Sequence, residues 1–510
     1  MIHRAVAAIL ASLAVAGCAT GPQEQTAAAS PEEAAVPPAA PLALVGATLI
    51  DGTGGPPVAD AVVLVEGEWI ACAGTADQCP VPADARRVDL SGRWLTPGIV
   101  DAHVHFSQTA WADARPDSIP VEPIYPFAET QAQLRTMPER FFRAYLCSGV
   151  TAVFDVGGFP WTWGLRESAE MNPLAPHVAA SGPLISHVNP PQLALPAERE
   201  FIDLADAESG RAAVRYLAAN RADAVKVWFI QPTPETRADI DARVAAVGDE
   251  ANRYGLPLIV HATQLREAKV AVRAGARLLV HSVDDAPVDE EFIELLKANE
   301  VIYTPTLVVR SGYFRMYDAA ISGLPTSPVD DPNRCVDRGT LEKIARSREV
   351  GYLLPPARRD SERYAAAKER SAVAHETMLV NLQRLHEAGV AIAMGTDAGN
   401  PLTVHGPSVY WEMEAMQAAG MPPGAVLRSA TETGARAMGR DRDIGTVTAG
   451  KIADLVIVRA DPLEDIAHMR QIESVVRAGV LHPVDSLRRG TDPSSATAAR
   501  SSTTENRGSP

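Results

Sequence analysis

GIVDAHVHF, residues 98–106, decides how this chain is read. Its apolar residues mark a buried strand, and its two histidines stand two positions apart. Side chains alternate along a strand with period two, so His103 and His105 face the same way and can reach one ion. Seven further runs of this texture follow: TAVFDVG, HVAASGPLI, DAVKVWF, PLIVHAT, RLLVHSV, VIYTPTL and VAIAMGTDA. Amphipathic stretches separate most of them, such as DIDARVAAVGDEANRYG (239–255) and LREAKVAVRAGA (265–276). Strands alternating with helices imply right-handed crossovers and a parallel sheet. Eight such units predict an α/β fold, a (β/α)8 TIM barrel.

A barrel strand buried on both faces should read as plain Val, Ile and Leu. Here the strand ends carry metal-capable groups instead. His261 ends LIVHAT, His281 ends LLVHSV, and Asp397 ends VAIAMGTDA with glycine following. One buried histidine is ordinary scaffold. Four histidines and an aspartate at corresponding strand ends are not, because buried polar groups left unsatisfied cost about 1–3 kcal/mol each. Lys226, inside the apolar DAVKVWF, is the subtler member. A lysine there needs a partner or a modification. One reading is a salt bridge to Asp397 or Asp155. The other is that burial frees the amine to react with carbon dioxide, giving a carbamate able to bridge two cations.

Working outward, residues 42–97 and 440–485 alternate short apolar runs with Gly/Pro/Asp turns, which is hairpin texture. Neither block has enough strands to stand alone. Together they predict a small β-sandwich domain built from both ends, flanking a barrel over 98–439. An insertion at about 310–372 interrupts the pattern after the seventh strand and is expected to cover the active face. Segments 19–41 and 486–510 have almost no large apolar residues and read as a disordered tether and tail.

The first 18 residues combine a cationic start, a short apolar run and Val15-Ala16-Gly17-Cys18. This resembles a lipoprotein signal peptide, with Cys18 as the lipidated first residue of the mature chain and acyl chains as a membrane anchor. Ala19 after it points to the periplasmic face of a bacterial outer membrane. Export to an oxidising compartment makes a Cys72–Cys79 disulfide one reading; two small buried hydrophobes is the other. The pairing of Cys147 and Cys335 stays open. The 510 residues carry a net charge of −16 with no basic run, which disfavours nucleic acid as a partner.

HVH on the first strand, the lysine of the fourth, two later histidines and GTDAG together resemble the amidohydrolase superfamily, in its imidazolonepropionase-like and Xaa-Pro dipeptidase (prolidase-like) branch. ATLIDGTG, LTPGIVDAHVHF, GVTAVFDVGG and GTVTAGKIADLVIVRADPLEDI extend the likeness over about residues 42–485. The resemblance implies two divalent ions. His103, His105 and Asp397 would hold the more buried one, His261 and His281 the other, and carboxylated Lys226 would bridge them. Zinc suits such nitrogen and oxygen ligands. A metal-bridging hydroxide would attack the amide carbon of a dipeptide or N-acyl amino acid, with Asp397 moving the proton. The alternative is a one-metal hydrolase of a cyclic amide with Lys226 unmodified; a non-catalytic binding lipoprotein is a third reading. The likeness also implies a homo-oligomer. His187, Tyr303 and His405 are the expected substrate contacts, and Trp161 and Trp163 are expected to wall the pocket. Two departures stand out. Gln264 in HATQ replaces the glutamate of deaminase branches, and the third-strand loop lacks the glycine-rich form of close dipeptidases.

Overall fold

The computed structural model describes residues 40–488. Cys18 and its signal segment, most of the expected tether and most of the expected tail lie outside the described residues. No helix among those described is long and apolar enough to cross a membrane.

Five strands open the chain: β1 (Leu42–Leu49), β2 (Val58–Glu66), β3 (Trp69–Gly74), β4 (Arg86–Asp89) and β5 (Trp94–Pro97). The middle supplies β6 (Ile99–Val104), β7 (Val150–Asp155), β8 (His177–Ala180), β9 (Leu184–Ser186), β10 (Phe201–Asp203), β11 (Val225–Trp228), β12 (Leu258–His261), β13 (Ala276–Val280) and β14 (Ile302–Thr304). The end supplies β15 (Leu455–Val458), β16 (Ile472–Arg477) and β17 (Val480–Pro483). The two ends meet in one sheet, ordered β17-β16-β15-β5-β1-β2-β3 with β4 beside β1. The seam is β15 antiparallel to β5, Leu455 opposite Pro97 and Ile457 opposite Leu95. Alternation along β2 explains its two faces. Val63 and Val65 join Leu44 and Leu455 in one apolar cluster, while Val62 and Leu64 join Ala43 and Cys79 in another. The hydrogen bonding is thus continuous through one sheet built from both ends of the chain, which fits the small domain expected there.

The middle strands pair in parallel, as β6-β7-β8 and as β10-β9-β11-β12-β13-β14, with helices such as Ala207–Ala219 and Arg237–Arg253 between them. The result is a mixed α/β fold. The run expected as a third strand divides into β8, paired with β7, and β9, paired with β11. The break falls at Gly182, whose φ is +71° and where a Cβ would lie 2.4 Å from the Trp163 ring. The run expected as an eighth strand forms only isolated bridges, yet it is bonded on both sides. Tyr303 N–H donates to Ala391 O (2.9 Å) and Ala102 N–H to Met394 O (3.0 Å). The 391–398 segment therefore lies between β14 and β6.

The insertion packs helices Val309–Ser322 and Arg338–Ala345 on the loop after β6, burying Trp111, Ile119, Met316 and Ile344 together. Trp111 Nε1 donates to Ser347 Oγ (2.9 Å), and Lys343 pairs with the buried Asp113. The insertion has no boundary at 372, because the helix Ser361–Glu387 runs through that position. Two disulfides are present: Cys72–Cys79 and Cys147–Cys335.

Candidate metal centre and active-site cavity

The strand ends bring the expected ligands to one place. His103 Nε2 lies 3.2 Å from His105 Nε2 and 3.3 Å from Asp397 Oδ1; His105 Nε2 lies 3.0 Å from the same oxygen. Three ligand atoms around a tetrahedral ion with bonds of about 2.1 Å stand about 3.4 Å apart, so this triangle fits one divalent cation. His281 Nδ1 is 3.9 Å from Asp397 Oδ2, and the His261 and His281 rings are 4.2 Å apart, centre to centre. His103, His281 and Asp397 offer ligand atoms that all lie within 4.8 Å of one another.

Surrounding groups set the orientation of these ligands. His105 Nδ1 donates to Gly157 O (2.6 Å), which leaves Nε2 as the lone-pair nitrogen. His281 Nδ1 lies 2.8 Å from Thr306 Oγ1 and is held in the same manner. Burial keeps His103, His261 and His281 well below the usual imidazole pKa, so they are neutral and able to coordinate. Burial also opposes charge on His105, but Asp397 outweighs it and raises that ring. His103 Nδ1 and Asp397 Oδ1 are buried without a hydrogen-bond partner.

The backbone bends to present two of these side chains. Asp397 has φ +60° and His281 φ +75°, a region that costs a non-glycine residue about 1–3 kcal/mol and recurs at functional sites. Neighbouring bonds hold both. Asp397 N–H donates to His103 O (2.8 Å) and His281 N–H to Thr304 O (2.9 Å). Thr396 gives Asp101 two further bonds, from N–H (3.0 Å) and Oγ1 (2.7 Å). Gly395 permits this approach: a Cβ there would sit 2.6 Å from Thr304 Cγ2 and 3.0 Å from His103 N.

Lys226 is buried beside these ligands, and burial lowers its pKa to about 7 although Asp397 and Asp155 pull it upward. No ion pair joins it to either carboxylate among the described contacts, so the salt-bridge reading of this lysine finds no support in the geometry.

A model of the amidohydrolase family matches residues 94–481. The chain belongs to the amidohydrolase family. It is a hydrolase acting on carbon–nitrogen bonds, in a family of enzymes that act on small-molecule amides. Among curated relatives it is similar to the imidazolonepropionase of Chromobacterium violaceum, 25% identical over 440 residues, covering 81% of this chain and 86% of the relative. Its fold is that of a Xaa-Pro dipeptidase crystallised with methionine in the active site (TM-score 0.65, 23% identity, 87% of this chain and 100% of that one). Phenylurea hydrolase B shares it equally (TM-score 0.65, 22% identity, 88% and 98%).

The strand-end residues open into a cavity of about 520 Å³, whose lining includes His105, Lys226, His261, His281 and Asp397. The three residues expected to touch substrate do not line it. Tyr303 is buried and its hydroxyl accepts from Val283 N–H (2.7 Å). His405 is stacked on Phe141 at 3.8 Å and lies 3.1 Å from His105 O through Nε2. His187 packs edge-on against Phe229 behind β9. Trp161 and Trp163 are also absent from the lining, and the tryptophan that does line it is Trp228, at the end of β11. Sequence reasoning missed Arg115, Asp117, Glu200, Asp284, Arg310 and Tyr313, all of which line it. They sit on loops or on the insertion, where no periodicity flags them. The one visible signal was the charged pair in DARPDS (113–118), shortly after HVH.

Proposed function

We propose that this chain is a metal-dependent amidohydrolase of small linear amides, a dipeptide or an N-acyl amino acid, working at the mouth of a closed eight-stranded (β/α)8 barrel. The observation that carries this reading is the convergence of His103 Nε2, His105 Nε2 and Asp397 Oδ1 to within 3.3 Å of one another beneath a cavity. Closure of the barrel is supported by the bonds of 391–398 to β14 and β6, and by Asp223 N–H donating to Ala180 O (3.1 Å) between β8 and the start of β11. His103, His105 and Asp397 would hold one ion, and His261, His281 and carboxylated Lys226 a second, with zinc the metal that suits them. Such ions make water nucleophilic near neutral pH and polarise a carbonyl. Asp397 Oδ1 faces the histidines. Its Oδ2, 3.9 Å from His281 Nδ1, is the oxygen left to take a proton and return it to the departing amine.

A second reading has its own support: His103, His281 and Asp397 alone can surround a single ion, as a one-metal hydrolase of a cyclic amide would need. Amine release from dipeptides, N-acyl amino acids and cyclic amides, with zinc counted per chain, separates the two. Linear-amide hydrolysis with two zinc ions is the expected result. Turnover of a cyclic amide alone, at one zinc, would establish the second reading, and a zinc-loaded chain inert to the whole panel would overturn both.

A further inference from the structure

Two of the cations lining the cavity are matched to acceptors beside them. Arg115 donates from Nε and Nη2 to the two oxygens of Asp117 (2.9 and 2.7 Å) and from Nη1 to Asn400 Oδ1. Arg310 is paired with Asp284. These guanidinium groups are committed to acceptors of the protein itself. Glu200 differs. It lines the same cavity and is 6% exposed, but among the described residues no cation is bonded to it, and its side chain's one hydrogen bond there is a long contact from Ser107 Oγ (3.4 Å). Burial pushes its carboxyl up to about 7, as befits a charge short of partners. Arg115 lies near enough to pull in the other direction, yet each of its nitrogens already serves another acceptor.

We propose that Glu200 receives a cationic amine of the substrate, so that this site prefers amides bearing a free ammonium group over their N-acylated forms. An ammonium brings three donors and the missing positive charge to an acceptor that the fold leaves nearly bare. Phe201, Trp228 and Phe314 on the same walls supply an apolar surface for the rest of the molecule. The inference rests on the amide-hydrolase reading for the reaction, and within that reading it selects dipeptide-like substrates over N-acyl amino acids.

Recognition can be measured without turnover. Phenethylamine and N-acetylphenethylamine share the same aromatic body, acetylation replacing the ammonium with a neutral acetamide, and their binding to the whole zinc-loaded chain at pH 8 can be followed by calorimetry. The amine should bind at least tenfold more tightly, and Glu200→Gln should erase that preference while leaving the melting temperature and the zinc content in place. Glu200→Asp should retain part of it. Equal binding of the two probes, or a preference that survives Glu200→Gln, would overturn the proposal. If the preference appears but no amide is hydrolysed, the reaction assignment fails alone. If amides are hydrolysed without the preference, the role of Glu200 fails alone.

Discussion

Two buried groups of histidines and carboxylates invite comparison, because they share a composition and differ in how their atoms are completed. His103, His105, His261, His281 and Asp397 gather at the C-terminal ends of the strands. His177 opens β8 at the other end of the sheet, with Nδ1 2.7 Å from Glu170 and Nε2 3.0 Å from Asp454. Around it, Arg477 binds Glu170 (3.1 Å) and Ala175 O (3.0 Å), Arg440 binds Glu170 (3.2 Å), and Asp454 Oδ1 accepts from Ala478 N–H (2.8 Å). Both ring nitrogens of His177 stand within 3.0 Å of a carboxylate, so the cluster is held by the protein's own charges and joins β8 to the sheet of the chain ends. At the other site two ring nitrogens and a carboxylate oxygen face one another. Composition alone does not mark a site; ring nitrogens converging on one another beside a cavity do. In α/β barrels, chemistry at the C-terminal ends of the strands and stability at the other end is a general division.

The largest test of that contrast is Asp397→Asn. It should lower amide turnover about 10³-fold, within the range for removing a proton-transfer group, with little change in the thermal melt. A collapsed melt would mean that this cluster, too, is scaffold. His177→Ala should do the reverse. Removing one partner of a buried ion pair costs about 3–5 kcal/mol, to be read from urea unfolding, while hydrolysis per folded molecule stays within about twofold. Its pH dependence sharpens the point. His177 is raised above its usual 6.5: burial opposes its charge, but Asp454 and Glu170 outweigh it. Its contribution is full below 6.5 and is lost as pH rises through the raised value. Glu170 and Asp454 are lowered from 4.5 and 3.8 because their pairing to His177 and Arg477 exceeds the cost of burial, and they lose their contribution as pH falls through the lowered values. The stability gap between wild type and His177→Ala should therefore be widest between those limits. The smallest effect belongs to Thr306→Val, which removes the oxygen 2.8 Å from His281 Nδ1. Zinc affinity should fall about tenfold by competition with a chelator, with stability unchanged.

The histidine-rich side of the comparison at the strand ends was legible in the sequence because strand periodicity fixes where side chains point. HVH, LIVHAT, LLVHSV and the buried Lys226 declare themselves against apolar runs. The strand carrying Asp397 was legible in position but not in regularity, since its backbone leaves the strand region at Asp397 itself. HVAASGPLI looked like one strand because nothing in its hydrophobicity shows that Gly182 must pass under the Trp163 ring. Cavity walls were least legible. Tyr303, inside β14, and His405, on a loop, each found a partner inside the protein, while Arg115 and Glu200 reach the cavity through loop paths that no local pattern encodes. The His177 cluster was also hidden, because Asp454 and Arg477 lie about 280–300 residues away along the chain.

The Cys147–Cys335 bond has a consequence for how the molecule is made. Its cysteines are 188 residues apart, whereas Cys72 and Cys79 are separated by 7. Four cysteines allow three pairings, and a ribosome delivers these four in a fixed order. The first two can close on each other as soon as they emerge, since short loops are quickly sampled. Cys147 then waits as a lone thiol until Cys335 has been translated, 188 residues later. Timing during synthesis thus sorts the cysteines before the fold does, and oxidation that outruns translation would cross the pairs.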